Sequence, residues 1–440
     1  MNNQKSTVYL ESLGCAKNLV DSEVMLGCLS RDGYRLTRII EEAHIIVVNT
    51  CAFIEEATRE SIETILWIAE HKKRGSCKYL IVCGCLAQRY QDELLKELPE
   101  VDLFLGTGEF QNISKHIQNL FCEKNSSKLQ TDRPSFLMAE DTPRVLSATG
   151  SSAYLKISEG CSHLCTYCTI PAIRGPFRAR PAGSIIKEAR NLSESGIREI
   201  NLISQDTTQY EGLAGLLQEL VKVPDIKWIR LLYCHPLNLD MDIINVLARE
   251  EKLCPYMDVP LQHIADPVLK RMGRKITRNK IEVLLQRINR ASPDIALRTT
   301  FMVGFPGETE KDFEDLLEFA AQVRFDHLGA FKYCDEEGTP ASRLNKKVPE
   351  EIKKQRYNRL MRLQSKISKE KNRARKGKEF EVLVEDISSN EKYRIQARAA
   401  FQAPEVDGVV FINEDFPIGS FIKVRITKAF TYDLAGKAVS

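Results

Sequence analysis

Three cysteines stand close together in one short segment of this 440-residue chain. Cys161, Cys165 and Cys168 are separated by three and then two residues, so their thiolates can converge on one metal site. Structural zinc takes four protein ligands, whereas a cubane iron-sulfur cluster with three cysteine ligands leaves one iron open for a substrate. The spacing therefore favours a cluster with an open iron. A zinc site completed by His163 is the alternative that this segment leaves open.

A second set of three cysteines becomes visible when the N-terminal region is divided into strands and helices. Three short apolar runs, each typical of a buried strand, lead to Cys15, Cys51 and Cys85. Apolar residues at helical spacing follow, as in residues 21–29 and 61–69. This alternation predicts an open parallel α/β sheet, which binds ligands at the carboxyl ends of its strands. The three cysteines could therefore hold a second cluster, or they could be inert buried thiols.

The central region repeats a strand and a helix about six times, which predicts a partial, open (β/α)6 barrel. The strands are expected at residues 153–158, 198–204, 227–233, 257–262, 296–304 and 327–333. The helices are expected at residues 184–194, 213–221, 240–249, 280–290 and 310–323. Active sites of such folds lie at the carboxyl ends of the strands. The loop from Cys161 to Cys168 follows the first of these strands and falls at that end.

Length and composition indicate the class of protein that carries these sites. With 43% hydrophobic and 28% charged residues, the chain is expected to be soluble and globular, with enough apolar mass for two or three cores. Its first residues carry no targeting pattern, and no apolar run reaches membrane-spanning length, which predicts a cytoplasmic protein without a membrane partner. Thirteen cysteines in that compartment indicate metal or redox chemistry rather than disulfides. The net charge of +3 is too small to identify a partner.

The complete pattern from Cys161 to Cys168, with Tyr167 before the last cysteine, resembles the signature of the radical S-adenosylmethionine (SAM) enzymes. In these enzymes the open iron chelates the amino and carboxylate groups of SAM. The resemblance implies that Cys161, Cys165 and Cys168 are the cluster ligands and that the backbone near Tyr167 lies against the adenine. Tyr167 taken alone is equally an ordinary core aromatic residue.

Three N-terminal segments resemble the methylthiotransferase family of these enzymes: residues 12–23 (SLGCAKNLVDSE), 49–51 (NTC) and 84–88 (GCLAQ). The resemblance implies that Cys15, Cys51 and Cys85 hold an auxiliary 4Fe-4S cluster. Cys83 is the rival of Cys85, because both are expected to face the same side of a strand, but the Gly-Cys-x-Ala-Gln pattern of the family falls on Cys85. The remaining seven cysteines are interpreted as structural: Cys28, Cys77, Cys83, Cys122, Cys234, Cys254 and Cys334.

Further SAM contacts are expected at the same end of the barrel. Gln205 and Gln262 could bond ribose hydroxyls, and Ser204 and Asp206 adjoin the first of them. Gly304, in the segment of residues 303–308, would let the backbone approach a ligand closely, although a Gly-Phe-Pro-Gly turn is also an ordinary loop. Arg298, inside an apolar strand, could meet a carboxylate or form a buried structural ion pair. Residues 271–274 resemble a family segment near the active site.

The C-terminal part combines a basic helix with a small barrel. Residues 351–378 read as a helix with twelve basic and two acidic residues, which suits a nucleic-acid surface or a solvated connection. Short alternating runs from residue 379 onward predict a small antiparallel β-barrel that resembles the TRAM domain, usually an RNA binder. This barrel carries ten acidic and seven basic residues. It should therefore repel phosphate and attract a basic protein.

These features predict a chain of three domains: an N-terminal methylthiotransferase domain (6–121), a linker (122–152), a radical SAM domain (153–376) and a TRAM domain (377–440). Within the family, one branch modifies an adenosine of tRNA and another the β-carbon of an aspartate in small-subunit ribosomal protein twelve. The acidic barrel, residues 12–23 and residues 170–178 (IPAIRGPFR) favour the protein-modifying branch. The tRNA enzyme is the alternative, and a non-catalytic iron-sulfur or zinc protein that binds ribosomes is an alternative of a different class.

The resemblance also implies the course of the reaction. An electron donor such as flavodoxin or ferredoxin reduces the cluster at Cys161, Cys165 and Cys168, and bound SAM breaks to a deoxyadenosyl radical. The β-carbon C–H bond of an aspartate is unactivated, so acid-base chemistry does not readily reach it and a cofactor radical must carry the step. The cluster at Cys15, Cys51 and Cys85 is expected to hold a sulfide that a second SAM methylates before transfer. The basic helix could also touch ribosomal RNA.

Overall fold

The structure, a computed structural model, describes residues 6–122, 127–147 and 150–439. Its N-terminal region is an open sheet of six parallel strands in the order β2-β1-β3-β4-β5-β6. The strands are β1 (Thr7–Ser12), β2 (Arg35–Leu36), β3 (Ile45–Thr50), β4 (Tyr79–Gly84), β5 (Leu103–Leu105) and β6 (Leu129–Gln130). The helices on its two faces are α1 (Ala16–Arg31), α2 (Glu55–Arg74), α3 (Cys85–Tyr90), α4 (Asp92–Glu97) and α5 (Ile113–Cys122). Every residue of β3 is buried, as a parallel strand covered on both faces requires.

The central region is a second open sheet of six parallel strands, in the order β14-β13-β12-β11-β10-β7, which confirms the predicted partial barrel. The strands of this region are β7 (Ser152–Lys156), the short pair β8 (Ser158–Glu159) and β9 (Arg178–Ala179), β10 (Glu199–Ile203), β11 (Trp228–Leu231), β12 (Leu253–Asp258), β13 (Ala296–Val303) and β14 (His327–Lys332). Its helices are α6 (Ile170–Arg174), α7 (Ala182–Glu194), α8 (Leu213–Leu220), α9 (Met241–Arg249), α10 (Asp266–Arg271), α11 (Arg278–Ala291) and α12 (Glu310–Val323).

The fourth parallel strand differs from its prediction. It was expected at residues 257–262 but spans Leu253–Asp258. Pro255 argues against a strand in the sequence, because proline cannot donate to the hydrogen-bond ladder. The structure accommodates Pro255 where the pairing of β11 with β12 shifts register. Beyond the strand, Gln262 has a φ of 71° and cannot extend it.

The C-terminal region consists of the long helix α13 (Glu350–Arg375) and a closed five-stranded barrel, β15-β16-β17-β19-β18. The barrel strands are β15 (Glu379–Ile387), β16 (Ile395–Ala399), β17 (Val410–Ile412), β18 (Phe421–Ala429) and β19 (Leu434–Ala438). Neighbouring strands are antiparallel except for β17 and β19, which are parallel. The barrel is therefore not antiparallel throughout, because an odd number of strands cannot alternate in direction around a closed ring.

Buried ion pairs attach the barrel to the inner face of the central sheet. Glu199, the first residue of β10, is fully buried and accepts hydrogen bonds at 3.0 Å from both Arg230 and Arg398. Buried charges require such partners, because an unpaired one loses its hydration without compensation. The barrel is thereby fixed near the amino ends of the strands, away from the carboxyl ends where the cysteine loop lies.

The segment between the first two sheets does more than connect them. Residues 123–126 and 148–149 of the predicted linker lie outside the described residues, as does Ser440 of the predicted TRAM domain. Within the described part, β6 adds a strand to the N-terminal sheet. Arg144 donates to Glu23 of α1 at 2.6 Å and to Glu188 of α7 at 2.8 Å, so it ties the two sheets together. No helix of the described residues combines the length and the apolar character that crossing a bilayer requires.

Candidate functional site

Both predicted sets of cysteines line one cavity of about 420 Å³ between the N-terminal and central sheets. All thirteen cysteines are free thiols. Seven of them line this cavity: Cys15, Cys51, Cys85, Cys161, Cys165 and Cys168 of the two predicted sets, and Cys234, which was expected to be only structural. The carboxyl ends of two parallel sheets therefore meet at one chamber, which is lined by the six thiols of both sets and by the buried thiol of Cys234.

Backbone turns bring the N-terminal set together. Cys15 precedes α1, Cys51 follows β3, and Cys85 begins α3. Gly14 has a φ of 90°, and a Cβ atom there would lie 2.5 Å from the Cβ of Cys51. Only glycine tolerates both that conformation and that approach, so Gly14 allows Cys15 and Cys51 to converge.

Cys83 and Cys85 do not face the same side of the strand, contrary to the expectation from sequence. Cys83 is buried on the face of the sheet that packs against α1, together with Val47 and Ile81. Gly84 ends the strand with a φ of 98°, and Cys85 packs on the opposite face while lining the cavity. A period-two alternation fails here because the chain leaves the strand between the two cysteines.

Arg174 of the central region supplies positive charge beside the N-terminal set. Its guanidinium lies 3.9 Å from the Cys85 sulfur and 2.9 Å from a carboxylate oxygen of Asp21. Burial raises the pKa of Cys85 to about 12, against the opposing charge of Arg174. Burial also acts to raise the pKa of Cys15, but the charges of Lys17 and Arg174 outweigh it and hold that pKa below its usual value. These cations favour thiolates, the form that binds a metal.

Lys17 is itself part of the cavity wall. Only 7% of it is exposed, and its ammonium nitrogen lies 3.1 Å from the centre of the Tyr233 ring. Burial lowers the pKa of Lys17, while the nearby charges of Cys15 and Asp258 act in the opposite direction. Lys17 was not expected at the site, although it lies inside the motif that carries Cys15.

The second set lies in a loop that the segment of residues 271–274 holds in place. Thr166 donates its backbone N–H to the carbonyl of Met272 at 2.9 Å, and a Cβ atom at Gly273 would lie 2.6 Å from the carbonyl oxygen of Leu164. Arg274 places a guanidinium nitrogen 4.0 Å from the sulfur of Cys165. The loop therefore carries its own nearby cation, as the N-terminal set does.

Burial changes the pKa values of the thiols in this loop. It raises the pKa of Cys161 to about 11 and that of Cys168 to about 12. The donor set fits an iron-sulfur cluster, because three thiols on one loop face a cavity that already holds a cation to offset a negative group. The N-terminal set comes from three separate turns, but its three thiols face the same cavity beside Arg174 and therefore also fit a cluster.

His163, the residue that could complete a zinc site, is engaged elsewhere. Its Nε2 atom lies 2.6 Å from a carboxylate oxygen of Asp206, and its ring stacks on His235 with centroids 4.0 Å apart. Asn238 donates to the same carboxylate oxygen at 2.9 Å. Sequence reasoning missed His235 and Asn238, although both follow β11 at the end where ligands were expected.

Three of the predicted SAM-binding residues line the cavity: Tyr167, Gln205 and Gln262. Three of their side-chain amide atoms have no hydrogen-bond partner within the described part of the chain: Nε2 and Oε1 of Gln205 and Oε1 of Gln262. Buried polar groups are normally satisfied, so unused ones at a cavity wall indicate a ligand. Tyr167 packs edge-on against Phe305, with ring centroids 6.3 Å apart.

Two other predicted residues do not line the cavity. The Ser204 hydroxyl bonds to the hydroxyl of Ser158 at 2.6 Å in the buried interior. Gly304 has a φ of 76°, but its close neighbour is Lys353 of α13, whose Cγ atom would lie 2.3 Å from a Cβ atom at this position. The glycine is therefore explained by packing of α13 in this structure.

The structure does not bring Arg298 to the cavity. Its guanidinium donates to Asp407 of the barrel at 2.6 Å and lies 3.7 Å from Asp258, which is the buried ion pair that the sequence left open. Arg298 is the third residue of β13, and Thr300, two residues further along the strand, does line the cavity. The pairs with Asp258 and Asp407 hold the Arg298 guanidinium toward the barrel instead.

Three family models match successive parts of the chain. The model described as uncharacterized protein family UPF0004 matches residues 7–106, the radical SAM superfamily matches residues 155–320, and the TRAM domain matches residues 377–439. The cavity thus lies between the regions matched by the first two models.

Solved structures share this fold at low sequence identity. The radical SAM methyltransferase TsrM from Kitasatospora setae, solved with cobalamin and a [4Fe-4S] cluster bound, has a TM-score of 0.57 and 15% identity over 77% of each chain. The cobalamin-dependent SAM radical enzyme OxsB, solved with aqua-cobalamin and SAM bound, has a TM-score of 0.54 and 13% identity over 82% of this chain and 56% of that one.

Curated relatives match the chain over its whole length. Proteins named ribosomal protein uS12 methylthiotransferase RimO are 47% identical in Geotalea uraniireducens, over 99% of each chain, and 46% identical in Geobacter sulfurreducens, over 100% of each. The relative of that name from Clostridioides difficile is 46% identical over 98% of each chain. Such identity across all three regions leads to one conclusion: the chain belongs to the RimO family of radical SAM methylthiotransferases.

Proposed function

We propose that this enzyme transfers a methylthio group to the β-carbon of an aspartate in ribosomal protein uS12, the small-subunit ribosomal protein twelve. One observation carries the proposal: two sets of three free cysteines line a single cavity. A substrate side chain in that cavity would be within reach of both sets. The name shared by the relatives supports the substrate.

We infer that each set holds a 4Fe-4S cluster with one open iron. Cys161, Cys165 and Cys168 would hold one cluster, and Cys15, Cys51 and Cys85 the other. When bound, the first would supply, with SAM, the radical chemistry that an unactivated C–H bond demands, and the second the sulfur that is transferred. Arg274 beside the first set and Arg174 beside the second would offset the negative charge of the thiolates.

The remaining cavity residues would bind and orient SAM. The unused amide atoms of Gln205 and Gln262 are suited to hydrogen bonds with ribose hydroxyls. Tyr167 would bring its backbone against the adenine. The mostly apolar wall around these groups would exclude water, which keeps a reactive intermediate from being quenched.

We place the functions in the domains expected from sequence: methylthiotransferase at 6–121, radical SAM at 153–376 and TRAM at 377–440, with 122–152 between the first two. Each matched family model falls inside one of these ranges, which supports the division. An electron donor such as flavodoxin or ferredoxin would reduce the cluster. Exposed basic residues of α13 would touch ribosomal RNA: Lys354, Arg362, Lys366, Lys369 and Arg373.

Mass spectrometry of one anaerobic reaction tests the proposal. The reaction contains reconstituted enzyme, SAM, a reductant, purified uS12 and unmodified tRNA, so that both substrates compete. We expect a methylthio increment on one aspartate of uS12. The same increment on a tRNA adenosine would establish the alternative enzyme, and no increment on either, with iron bound, would support a non-catalytic ribosome-binding protein.

A further inference from the structure

Lys17 is a buried cation that has no carboxylate partner among the described residues. It is 7% exposed and lines the cavity beside Cys15. Among the described residues, none accepts a hydrogen bond from its ammonium group, and no carboxylate lies within ion-pair distance. Its ammonium nitrogen stands over the face of the Tyr233 ring, 3.1 Å from the ring centre. A cation-π contact stabilises an ammonium group only partly, so a buried lysine in this setting calls for an anion.

The other cations at the cavity are already engaged. Arg174 forms ion pairs with Asp21 at 2.9 Å and with Glu159 at 3.4 Å. Arg274 donates to the carbonyl oxygen of Pro260 at 2.6 Å and approaches the sulfur of Cys165. Lys17 is therefore the cavity cation whose charge is available to a ligand.

The position of Lys17 fits the reacting side chain rather than a distant part of the substrate. It stands two residues after Cys15, the thiol that we assign to sulfur transfer, and it shares the chamber with Cys161, Cys165 and Cys168. The β-carbon of an aspartate is bonded directly to its carboxylate. An ammonium group that binds this carboxylate therefore also positions the reacting β-carbon, which is only one bond away.

We propose that Lys17 binds the side-chain carboxylate of the aspartate that is methylthiolated, and so selects an anionic side chain over a neutral one. The inference rests on the proposed function, because it assumes an aspartate substrate. A nucleobase carries no carboxylate and would gain nothing from this contact. Lys17 is thus a specificity-determining residue of the site.

Binding without turnover provides the test. Cluster-loaded enzyme, kept without reductant and with SAM present, is titrated with uS12 and with uS12 in which the target aspartate, identified by mass, is replaced by asparagine. We expect wild-type enzyme to bind the aspartate form roughly tenfold more tightly or better, as hydrogen bonds to charged groups do. Lys17→Met should bring this ratio close to one, and Lys17→Arg should restore most of it.

Three controls separate the outcomes. Lys115→Met removes an exposed lysine from α5 of the same region and should keep the wild-type ratio. Iron per chain is measured in every variant, and a loss of half of it in Lys17→Met would assign the lysine to the cluster and overturn the inference. SAM also carries a carboxylate, so a weakened affinity for SAM with an unchanged aspartate-to-asparagine ratio would assign Lys17 to SAM and overturn it too.

Failure of the inference is distinguishable from failure of the proposed function. If wild-type enzyme modifies uS12 while Lys17→Met still prefers aspartate as strongly, Lys17 does not bind the carboxylate although the function stands. If wild-type enzyme modifies tRNA and leaves uS12 unchanged, the function and the inference both fall.

Discussion

At the residue scale, each set of three thiols depends on residues that are not ligands. Gly14 and Gly84 allow the N-terminal cysteines to converge, and Gly273 lets the segment of residues 271–274 close against the loop of Cys161. Arg174 and Arg274 stand within 4.0 Å of a sulfur atom in the respective set. Thiolates gathered without such cations would repel one another in a medium of low dielectric constant.

Removing one ligand from each set should separate the two halves of the reaction. Cys161→Ala should abolish cleavage of SAM, because the cluster that we propose for this set would lose one of its three cysteine ligands. Cys51→Ala should retain SAM cleavage but stop methylthio transfer to uS12. Quantifying 5′-deoxyadenosine and methylthiolated product in one reaction checks both. Cys83→Ala, a buried cysteine outside the cavity, is the matched control and should keep both activities. Normal transfer by Cys51→Ala would refute the two-cluster assignment.

His263 should make stability depend on pH. Burial lowers the pKa of His263 to about 3 from its ordinary 6.5, so the folded protein keeps it neutral while the unfolded chain binds a proton below pH 6.5. The contribution of neutral His263 to the free energy of unfolding is therefore fully present above pH 6.5 and is lost as the pH falls below it. Between pH 7 and pH 5 this costs roughly 2 kcal/mol. Urea unfolding should show a smaller acid loss in His263→Asn, whereas His71→Asn on α2 should match wild type. Equal slopes in wild type and His263→Asn would contradict the prediction.

At the scale of elements, a buried charge network joins the first sheet to the second. Lys156 ends β7 and is 1% exposed, and its ammonium group lies 2.5 Å from Asp21 of α1 and contacts Glu159. Arg174 bonds the same two carboxylates from α6. Because α1 follows Cys15 directly, this network also fixes the N-terminal set relative to the loop of Cys161.

Lys156→Met should be strongly destabilising. It leaves Asp21 and Glu159 to share one arginine in the interior, and breaking a buried pair in this way costs about 3–5 kcal/mol. Lys187 lies on α7 and forms a surface ion pair with Glu140. Lys187→Met removes this pair and should cost under about 1 kcal/mol. The midpoint of urea unfolding compares the two variants. Equal midpoints would mean that Asp21 and Glu159 are adequately neutralised by Arg174 alone.

The sequence could predict elements whose own residues specify them. The apolar run of β3 and the helical spacing of α12 were placed closely, because burial on both faces and a capping residue at Thr309 leave local signals. The prediction for β12 was wrong, because the strand accommodates Pro255 only through a register shift against β11, which the sequence of β12 does not reveal. Arg298 could not be placed either, because its partner Asp407 lies 109 residues away.

The candidate site was predictable to the same extent. Cysteine spacing and strand ends located six of the seven thiols that line the cavity, but not Cys234, which was expected to be only structural. The cations beside them were not found, because Arg174 and Arg274 reach the sulfurs through tertiary packing of α6 and of the segment after α10. Lys17 could have been noticed as a charged residue inside the motif of Cys15, but its burial could not be read from the sequence.

At the scale of the whole molecule, the barrel and the cavity lie at opposite ends of the central sheet. Asp407 of the barrel accepts hydrogen bonds from Arg298 and Tyr256, and His327 donates toward the barrel at Phe401. The residues that line the cavity come from the N-terminal and central regions. No described residue of the barrel lines the cavity, so we expect the barrel to act on the binding of a partner.

Charge on the barrel should then govern affinity for the substrate rather than the rate of chemistry. Asp386 and Glu391 are exposed acidic residues of the barrel, and reversing both to lysine should weaken binding of a basic uS12 roughly tenfold at low salt. The difference should shrink at high salt, because exposed charges are screened beyond about 10 Å at 0.1 M. Titrations at two salt concentrations measure this, with product formation at saturating substrate expected to stay at the wild-type rate.

Glu63→Lys reverses an exposed charge on α2 of the N-terminal region and serves as the control for the barrel variant. If it weakens uS12 binding as much as the barrel reversal does, the effect comes from net charge and the barrel has no special role. If the barrel reversal leaves uS12 binding unchanged but strengthens binding of RNA, the acidic surface acts to exclude RNA. A loss confined to the barrel variant means that the domain at one end of the sheet recruits the protein whose aspartate reacts at the other.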